Sequence, residues 1–88
     1  MEFRWNDRNL EHVARHGVDP GEAEGVVEGV EAPWPRYRGD GKYLVWGRGR
    51  GDHLLQVVFV LDPDDSIYII QARPLTEREK RRYRRRRG

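Results

Sequence analysis

Apolar and polar residues alternate at the start of the chain and then adopt a helical spacing. Phe3 and Trp5 are separated by one polar residue, which predicts a short first strand with one apolar face. Asn6 or Asp7 can cap the helix that follows, and Gly17 can end it. The apolar residues in between recur on one helix face: Leu10, Val13 and Ala14. The pattern therefore predicts a strand followed by a first helix.

A second helix is marked by its N-terminal residues. Asp19 is a suitable N-cap, Pro20 suits the first helical position, and Glu22 can complete a capping box. Val18 and Ala23 can form a hydrophobic staple across the cap. The remaining apolar face consists of valines: Val26, Val27 and Val30. The prediction is a short helix that depends on packing.

The middle of the chain predicts strands. Residues 32–40 hold two prolines around Trp34, which indicates a connector that can end in an edge strand. Three runs rich in β-branched and aromatic residues follow: Tyr43–Gly47, Leu54–Leu61 and Ser66–Ala72. The loops between them are short and contain Gly, Pro and Asp, which favours antiparallel hairpins.

A third helix begins after Pro74. Thr76 and Glu79 have the spacing of a capping box, and arginines fill the rest of this helix. The predicted order is β-α-α-β-β-β-α in one domain, residues 1–88, with an arginine-rich C-terminal helix or tail from about residue 76. Two N-terminal helices on one face of an antiparallel sheet give an α+β fold.

Charge is divided unevenly along the chain. Residues 1–72 hold 8 Lys or Arg against 13 Asp or Glu, whereas residues 73–88 hold 9 against 2. An acidic body with a basic arm favours a polyanionic partner. An acidic protein, or the body of this same chain, could also meet the arm.

Other features of the composition exclude several classes of protein. Cysteine is absent, which excludes disulfides and cysteine-based metal sites. No apolar run approaches the roughly 20 residues that cross a bilayer, so no membrane association is expected. The first seven residues lack the pattern of a secretory signal. We therefore expect a cytoplasmic protein.

Four stretches resemble the BrnT toxins of bacterial type II toxin–antitoxin systems. In chain order they are Phe3-Arg4-Trp5-Asn6-Asp7; Asn9 with His16-Gly17-Val18; Glu22-Ala23 with Val26-Val27; and Ile70-Gln71-Ala72-Arg73-Pro74 with Glu77-Arg78-Glu79 and Tyr83. The resemblance spans nearly the whole chain. Gln71 departs from it, since a serine is usual at that position.

The resemblance implies a RelE-like fold and an endoribonuclease that inhibits translation without a metal or other cofactor. It also implies neutralisation by a cognate antitoxin of the ribbon-helix-helix type. Operator DNA would then be bound only through the toxin–antitoxin complex.

Arg73 is the first candidate for the chemistry. In metal-free cleavage the ribose 2′-hydroxyl attacks the adjacent phosphorus, and an arginine can hold two phosphate oxygens. Arg73 ends a strand just before a proline and a capped helix, and it matches the Ala-Arg motif of the BrnT family. The alternative is a structural ion pair with the acidic body.

Further candidates lie in the Gly-Arg-Gly-Arg-Gly loop and on the first helix. Arg48, as a catalytic residue, and Arg50, as an RNA contact, could approach phosphate together with glycine amides; a solvated turn is the alternative. His16 could act as an acid, a base or a substrate contact, or could fix the helix end. His12 and His16 share one face but lack a third ligand, so we predict no metal site.

The third helix supplies the remaining candidates. Glu79 is either a catalytic base or only a cap. Tyr83 is a further candidate for the catalytic set, and it either stacks on a base or packs on the sheet. Five arginines of this helix are named as RNA contacts: Arg78, Arg81, Arg82, Arg84 and Arg85. The whole run Arg81–Arg87 is expected to attract a polyanion, and a solvated helix face is the alternative.

Three functions follow from these observations. The first is an RNA endonuclease toxin, and the second is a non-catalytic RNA- or ribosome-binding module. The third is a protein-interaction domain whose basic tail meets an acidic partner.

Overall fold

The computed structural model describes residues 1–87; Gly88, the last residue of the predicted domain, lies outside them. It contains five strands, three α-helices and one 3₁₀ turn. In chain order these are β1 (Phe3–Arg4), α1 (Asp7–Arg15), α2 (Pro20–Glu28), β2 (Arg36–Gly39), β3 (Lys42–Arg48), the 3₁₀ turn (Arg50–Asp52), β4 (Leu54–Leu61), β5 (Ile67–Pro74) and α3 (Glu77–Arg87). The predicted α+β class is confirmed.

The sheet has the strand order β1-β5-β4-β3-β2 and is mixed. Strands β2 to β5 form an antiparallel meander, but β1 pairs parallel to β5, with Phe3 opposite Ile67. The prediction of an antiparallel sheet was therefore wrong at this edge. No hairpin joins β1 to β5, since most of the chain lies between them, so no turn requires them to be antiparallel.

The connector does end in an edge strand, β2, so the observed order has one strand more than predicted. A turn with positive φ at Gly39, Asp40 and Gly41 reverses the chain from β2 into β3. Glycine adopts this region without a steric penalty, and aspartate tolerates it better than most other residues, which explains the tight turn at this point. The turn places the side chains of β2 beside those of β3.

Side-chain contacts at two helix starts match the prediction. Asn6, one of the two predicted caps, caps α1; its reciprocal box with Asn9 was not predicted. Asn9 is almost fully buried and also donates to the carbonyls of Arg4 and Ile69, which ties α1 to two strands. At α3, Thr76 and Glu79 form the predicted box, with N···O distances of 2.9 and 3.2 Å.

The start of α2 differs from the prediction. Asp19 accepts from the Gly21 amide, as a cap should. Glu22 does not complete a capping box, because its buried carboxylate instead accepts a hydrogen bond from the Arg50 amide. A long-range contact thus replaces the local one.

The sheet has two different faces. On one face the row Val45–Val57–Ala72 is fully buried, and a Cβ on Gly47 would lie 3.2 Å from Val26 of α2. Helices α1 and α2 therefore cover this face, as predicted. The next row, Trp46–Gln56–Arg73, points to the opposite face, because successive side chains of a strand alternate.

Helix α3 lies against the opposite face. Its Tyr83 is buried, with a ring centroid 5.3 Å from that of Trp34, and Trp34 in turn lies 5.9 Å from Trp46. Aromatic pairs at such distances contribute about 1 kcal/mol each beyond their buried area. This aromatic stack holds the basic helix on the sheet. In residues 1–87 no helix has the length and apolar character that crossing a membrane requires.

Candidate anion-binding pocket

A pocket of about 510 Å³ opens on the face of the sheet that carries α3. Its floor includes Leu44, Trp46 and Gln56, and Trp34 forms part of its wall. Its charged lining consists of Arg36, Arg38, Arg73, Arg82, Arg86 and a single acid, Glu79. We call it the arginine pocket. Its volume is that of a typical small-ligand site.

Three separate elements supply the arginines. Arg36 and Arg38 come from β2, Arg73 from the end of β5, and Arg82 and Arg86 from successive turns of α3. Within residues 1–87, Arg73 is the one member of this group that forms an ion pair within 4 Å. Converging positive charges with so little compensation attract an anion into a concave site.

Arg73 lines the pocket, and its guanidinium group is held by several contacts. Its two terminal nitrogens, Nη1 and Nη2, donate to the two carboxylate oxygens of Glu79 at 2.8 Å each. Nη1 also donates to the carbonyl of Pro74 at 3.0 Å, and Nη2 to Oε1 of Gln56 at 3.2 Å. The ion pair that the sequence allowed is present, but its partner is the acid of α3 rather than the acidic body.

Gln56 connects Arg73 to the floor. Its Oε1 also accepts from the indole Nε1 of Trp46 at 3.0 Å, while its Nε2 donates to Oε1 of Gln71 at 2.9 Å. Because both sides of the amide are occupied, its orientation is defined. Gln56 was missed from the sequence. The available signal was a single polar residue within the most apolar strand.

The ion pair governs the protonation of Glu79. Hydrogen bonds from Arg73 lower the pKa of Glu79 from 4.5 to about 2, and the Thr76 amide and hydroxyl add to the effect. The same pairing raises the pKa of Arg73. Glu79 is therefore a carboxylate at neutral pH, and a weak base while it stays paired.

Three of the predicted catalytic residues do not line the arginine pocket: His16, Tyr83 and Arg48. His16 caps the C-terminus of α1, with its ring 5.4 Å from that of His12, and α1 lies on the other face of the sheet. Tyr83 packs against Trp34 instead of presenting its ring for stacking on a base. The pocket brings together Arg73 and Glu79 of the predicted catalytic set.

The Gly-Arg-Gly-Arg-Gly loop makes contacts within the protein. Arg48 pairs with Asp52 at 2.6 Å, and Arg50 with Asp19 at 3.2 Å. The amide of Arg50 donates to Glu22 at 2.9 Å. A backbone amide expected to approach phosphate is thus occupied by a carboxylate of the same chain.

Of the RNA-binding arginines predicted on α3, Arg82 enters the pocket, with its guanidinium carbon 5.8 Å from the ring centroid of Trp46. Arg85 lines a smaller depression beside it. Arg78, Arg81 and Arg84 are exposed and do not line the pocket. Sequence reasoning missed Arg36 and Arg38, and it included Arg86 only as part of the basic run that should attract a polyanion. The alternation of Arg36-Tyr37-Arg38 was the signal that two arginines share a face.

No protein-family model matches this chain, and a search of curated proteins finds no match. The resemblance to BrnT toxins therefore rests on the quoted residues alone.

In residues 1–87 no group of three or more His, Asp or Glu side chains is placed to hold a metal ion.

Proposed function

We propose that this chain binds RNA in the arginine pocket and cleaves it without a metal ion, as the toxin of a type II toxin–antitoxin system. The observation that carries the proposal is the convergence of five arginines and one acid on an aromatic-walled pocket. Arginine binds phosphate through two parallel N–H groups, and arginine-lined clefts with aromatic walls suit RNA strands. A RelE-like fold, action on RNA in the cytoplasm, and inhibition of translation belong to the same proposal.

The pocket residues can divide the work of cleavage. The 2′-hydroxyl oxygen forms a bond to phosphorus, the bond from phosphorus to the 5′-oxygen breaks, and a 2′,3′-cyclic phosphate results. Glu79 accepts the proton of the 2′-hydroxyl, and the leaving 5′-oxygen takes a proton from solvent. Arg73 and Arg82 stabilise the charge that develops on the phosphoryl oxygens.

Cleavage is tested with purified protein and single-stranded RNA in the presence of a metal chelator. We expect products that end in a 2′,3′-cyclic phosphate, and a decrease of at least about 100-fold in rate for Arg73→Ala. Arg15→Ala removes the same charge from an exposed site on α1 and should cleave at the wild-type rate. If the RNA remains intact at high protein concentration, the proposed nuclease activity is contradicted.

A second function, non-catalytic RNA binding, is favoured by one observation. Both terminal nitrogens of Arg73 are occupied by Glu79, and no histidine is among the described residues that line the pocket. This function predicts salt-sensitive binding of RNA that remains intact.

The antitoxin of the proposal is a ribbon-helix-helix protein that neutralises this chain. Co-expression with the product of a neighbouring short reading frame of that type should relieve growth arrest and yield a stable complex. Growth arrest that persists despite a complex would contradict neutralisation.

A further inference from the structure

The contact between Arg73 and Glu79 has the geometry of a contact between arginine and phosphate. Two parallel N–H groups meet two oxygens at 2.8 Å each. A phosphodiester presents two non-bridging oxygens that such a pair of donors also binds. The carboxylate of Glu79 therefore occupies the position in which Arg73 would bind the two oxygens of a phosphodiester.

The guanidinium group of Arg73 is also oriented by contacts that do not involve Glu79. Gln56 accepts from Nη2, and its amide is fixed in turn by Trp46 and Gln71. The carbonyl of Pro74 accepts from Nη1. If the carboxylate left, these contacts would still orient the guanidinium group toward the pocket.

Glu79 has a second partner to retain. Its Oε1 also accepts from the amide of Thr76 at 2.9 Å, within the capping box of α3. The carboxylate can therefore leave Arg73 while it remains bound at the helix N-terminus, where the helix dipole favours negative charge.

The charges of the pocket favour exchange. Arg36, Arg38, Arg82 and Arg86 line the same pocket and form no ion pair within 4 Å among residues 1–87. The carboxylate of Glu79 bonds to Arg73 and forms no ion pair within 4 Å with any of these four. An RNA strand carries several phosphates and can neutralise more of them at once.

We propose that Glu79 occupies the position of an RNA phosphodiester on Arg73, that the phosphodiester displaces it, and that Gln56 keeps Arg73 aligned during the exchange. The inference rests on the proposed function and deepens it. After the exchange, the released carboxylate lies beside the bound phosphodiester, where it can receive the 2′-hydroxyl proton. Glu79 thus restrains binding in the free protein and takes part in the reaction once RNA is bound.

Binding of a short single-stranded oligodeoxyuridylate tests the exchange, because this probe lacks the 2′-hydroxyl and cannot be cleaved. Glu79→Gln should bind the probe about tenfold more tightly than Glu77→Gln. Glu77 is the matched control, because it lies on the same helix, carries the same charge, and pairs with Lys80 instead of Arg73. Equal affinities of the two variants would overturn the exchange.

Two more variants separate exchange from damage to α3. Thr76→Ala weakens the cap but leaves the pair of Arg73 and Glu79, so its affinity should equal that of the wild type. Glu79→Asp withdraws the carboxylate by one methylene and should also bind more tightly, which keeps the test valid if Glu79→Gln fails to fold. Tighter binding by Thr76→Ala would assign the effect to the helix and overturn the proposal.

Failure of this inference can be told from failure of the proposed function. If the wild type cleaves RNA but Glu79→Gln binds no better than Glu77→Gln, the exchange is wrong and the nuclease stands. If Glu79→Gln binds the probe more tightly while no protein cleaves RNA, the nuclease is wrong and the exchange stands. If no variant binds the probe and no protein cleaves RNA, both are overturned.

Discussion

The ring of Tyr83 packs against that of Trp34 with centroids 5.3 Å apart, and this contact attaches α3 to the sheet. Tyr83→Ala should lower the free energy of unfolding by about 3 kcal/mol, because it removes a buried aromatic ring. It should also weaken RNA binding, since Arg82 and Arg86 reach the pocket from the same helix. Tyr83→Phe keeps the ring and should retain most of both properties. Urea unfolding measures the loss of stability, and RNA titration measures the loss of affinity. If a folded Tyr83→Ala variant binds RNA as tightly as the wild type, the packing of α3 on the sheet is not required for binding.

Acid should remove part of the stability through Glu79. Its folded pKa of about 2 lies below the unfolded value of 4.5, so its contribution is complete above the unfolded value and is lost as pH falls through the folded one. After allowance for solvent screening, we expect about 1–2 kcal/mol. Unfolding measured between about pH 6 and pH 2 should show this loss in the wild type and not in Glu79→Gln. If the wild type and Glu79→Gln show identical dependence of stability on pH, the pair of Arg73 and Glu79 does not stabilise the fold as proposed.

The arginines of β2 should contribute to affinity through charge. Arg38→Ala should weaken binding of single-stranded RNA and reduce the slope of log affinity against log salt by about 0.7. Arg15→Ala changes the net charge equally but lies on α1, and it should leave the slope unchanged. If both variants lose the same amount, net charge, and not the pocket, determines binding.

Gln56 should matter to both stability and binding. Gln56→Leu leaves the buried Trp46 indole nitrogen without its acceptor and should cost about 1–3 kcal/mol. Because Arg73 also loses an orienting contact, RNA affinity should fall at a temperature where the variant is fully folded. Gln56→Glu keeps an acceptor for both donors, and should therefore recover stability but not affinity, because its charge repels phosphate. If Gln56→Glu recovers both stability and RNA affinity, Gln56 contributes to the structure and has no separate role in binding.

Substitution by alanine at two glycines should change the stability of the protein in opposite directions. Gly25 lies within α2 with nothing within 4 Å of a new Cβ, so Gly25→Ala should stabilise the protein by about 0.5–1 kcal/mol. At Gly49 the Cβ would lie 2.7 Å from Cγ of Glu22, and Gly49→Ala should destabilise it by about 1–3 kcal/mol. Thermal unfolding of both variants checks the contrast. A neutral Gly49→Ala would show that the loop and Glu22 can separate readily.

Local patterns were sufficient for most elements and for part of the site. The predicted cap at Asn6 and the predicted box of Thr76 with Glu79 each join residues three apart, so the residues that determine them lie close together on the chain. Arg73 was found for a similar reason, because it lies between a strand and a proline-led helix. The charge split likewise identified α3 as the basic element.

Tertiary contacts decided everything that depends on register between strands. The row Trp46–Gln56–Arg73 brings together residues up to 27 positions apart, and no local spacing indicates it. The parallel pairing of β1 and the capture of the Arg50 amide by Glu22 are of the same kind. Hydrogen bonds within one turn are set by the rise of a single helix, whereas contacts between elements are chosen by packing of the whole chain. For that reason Arg73 and Glu79 could each be named from their neighbours on the chain, but their pairing, and the contact of Arg73 with Gln56, could not.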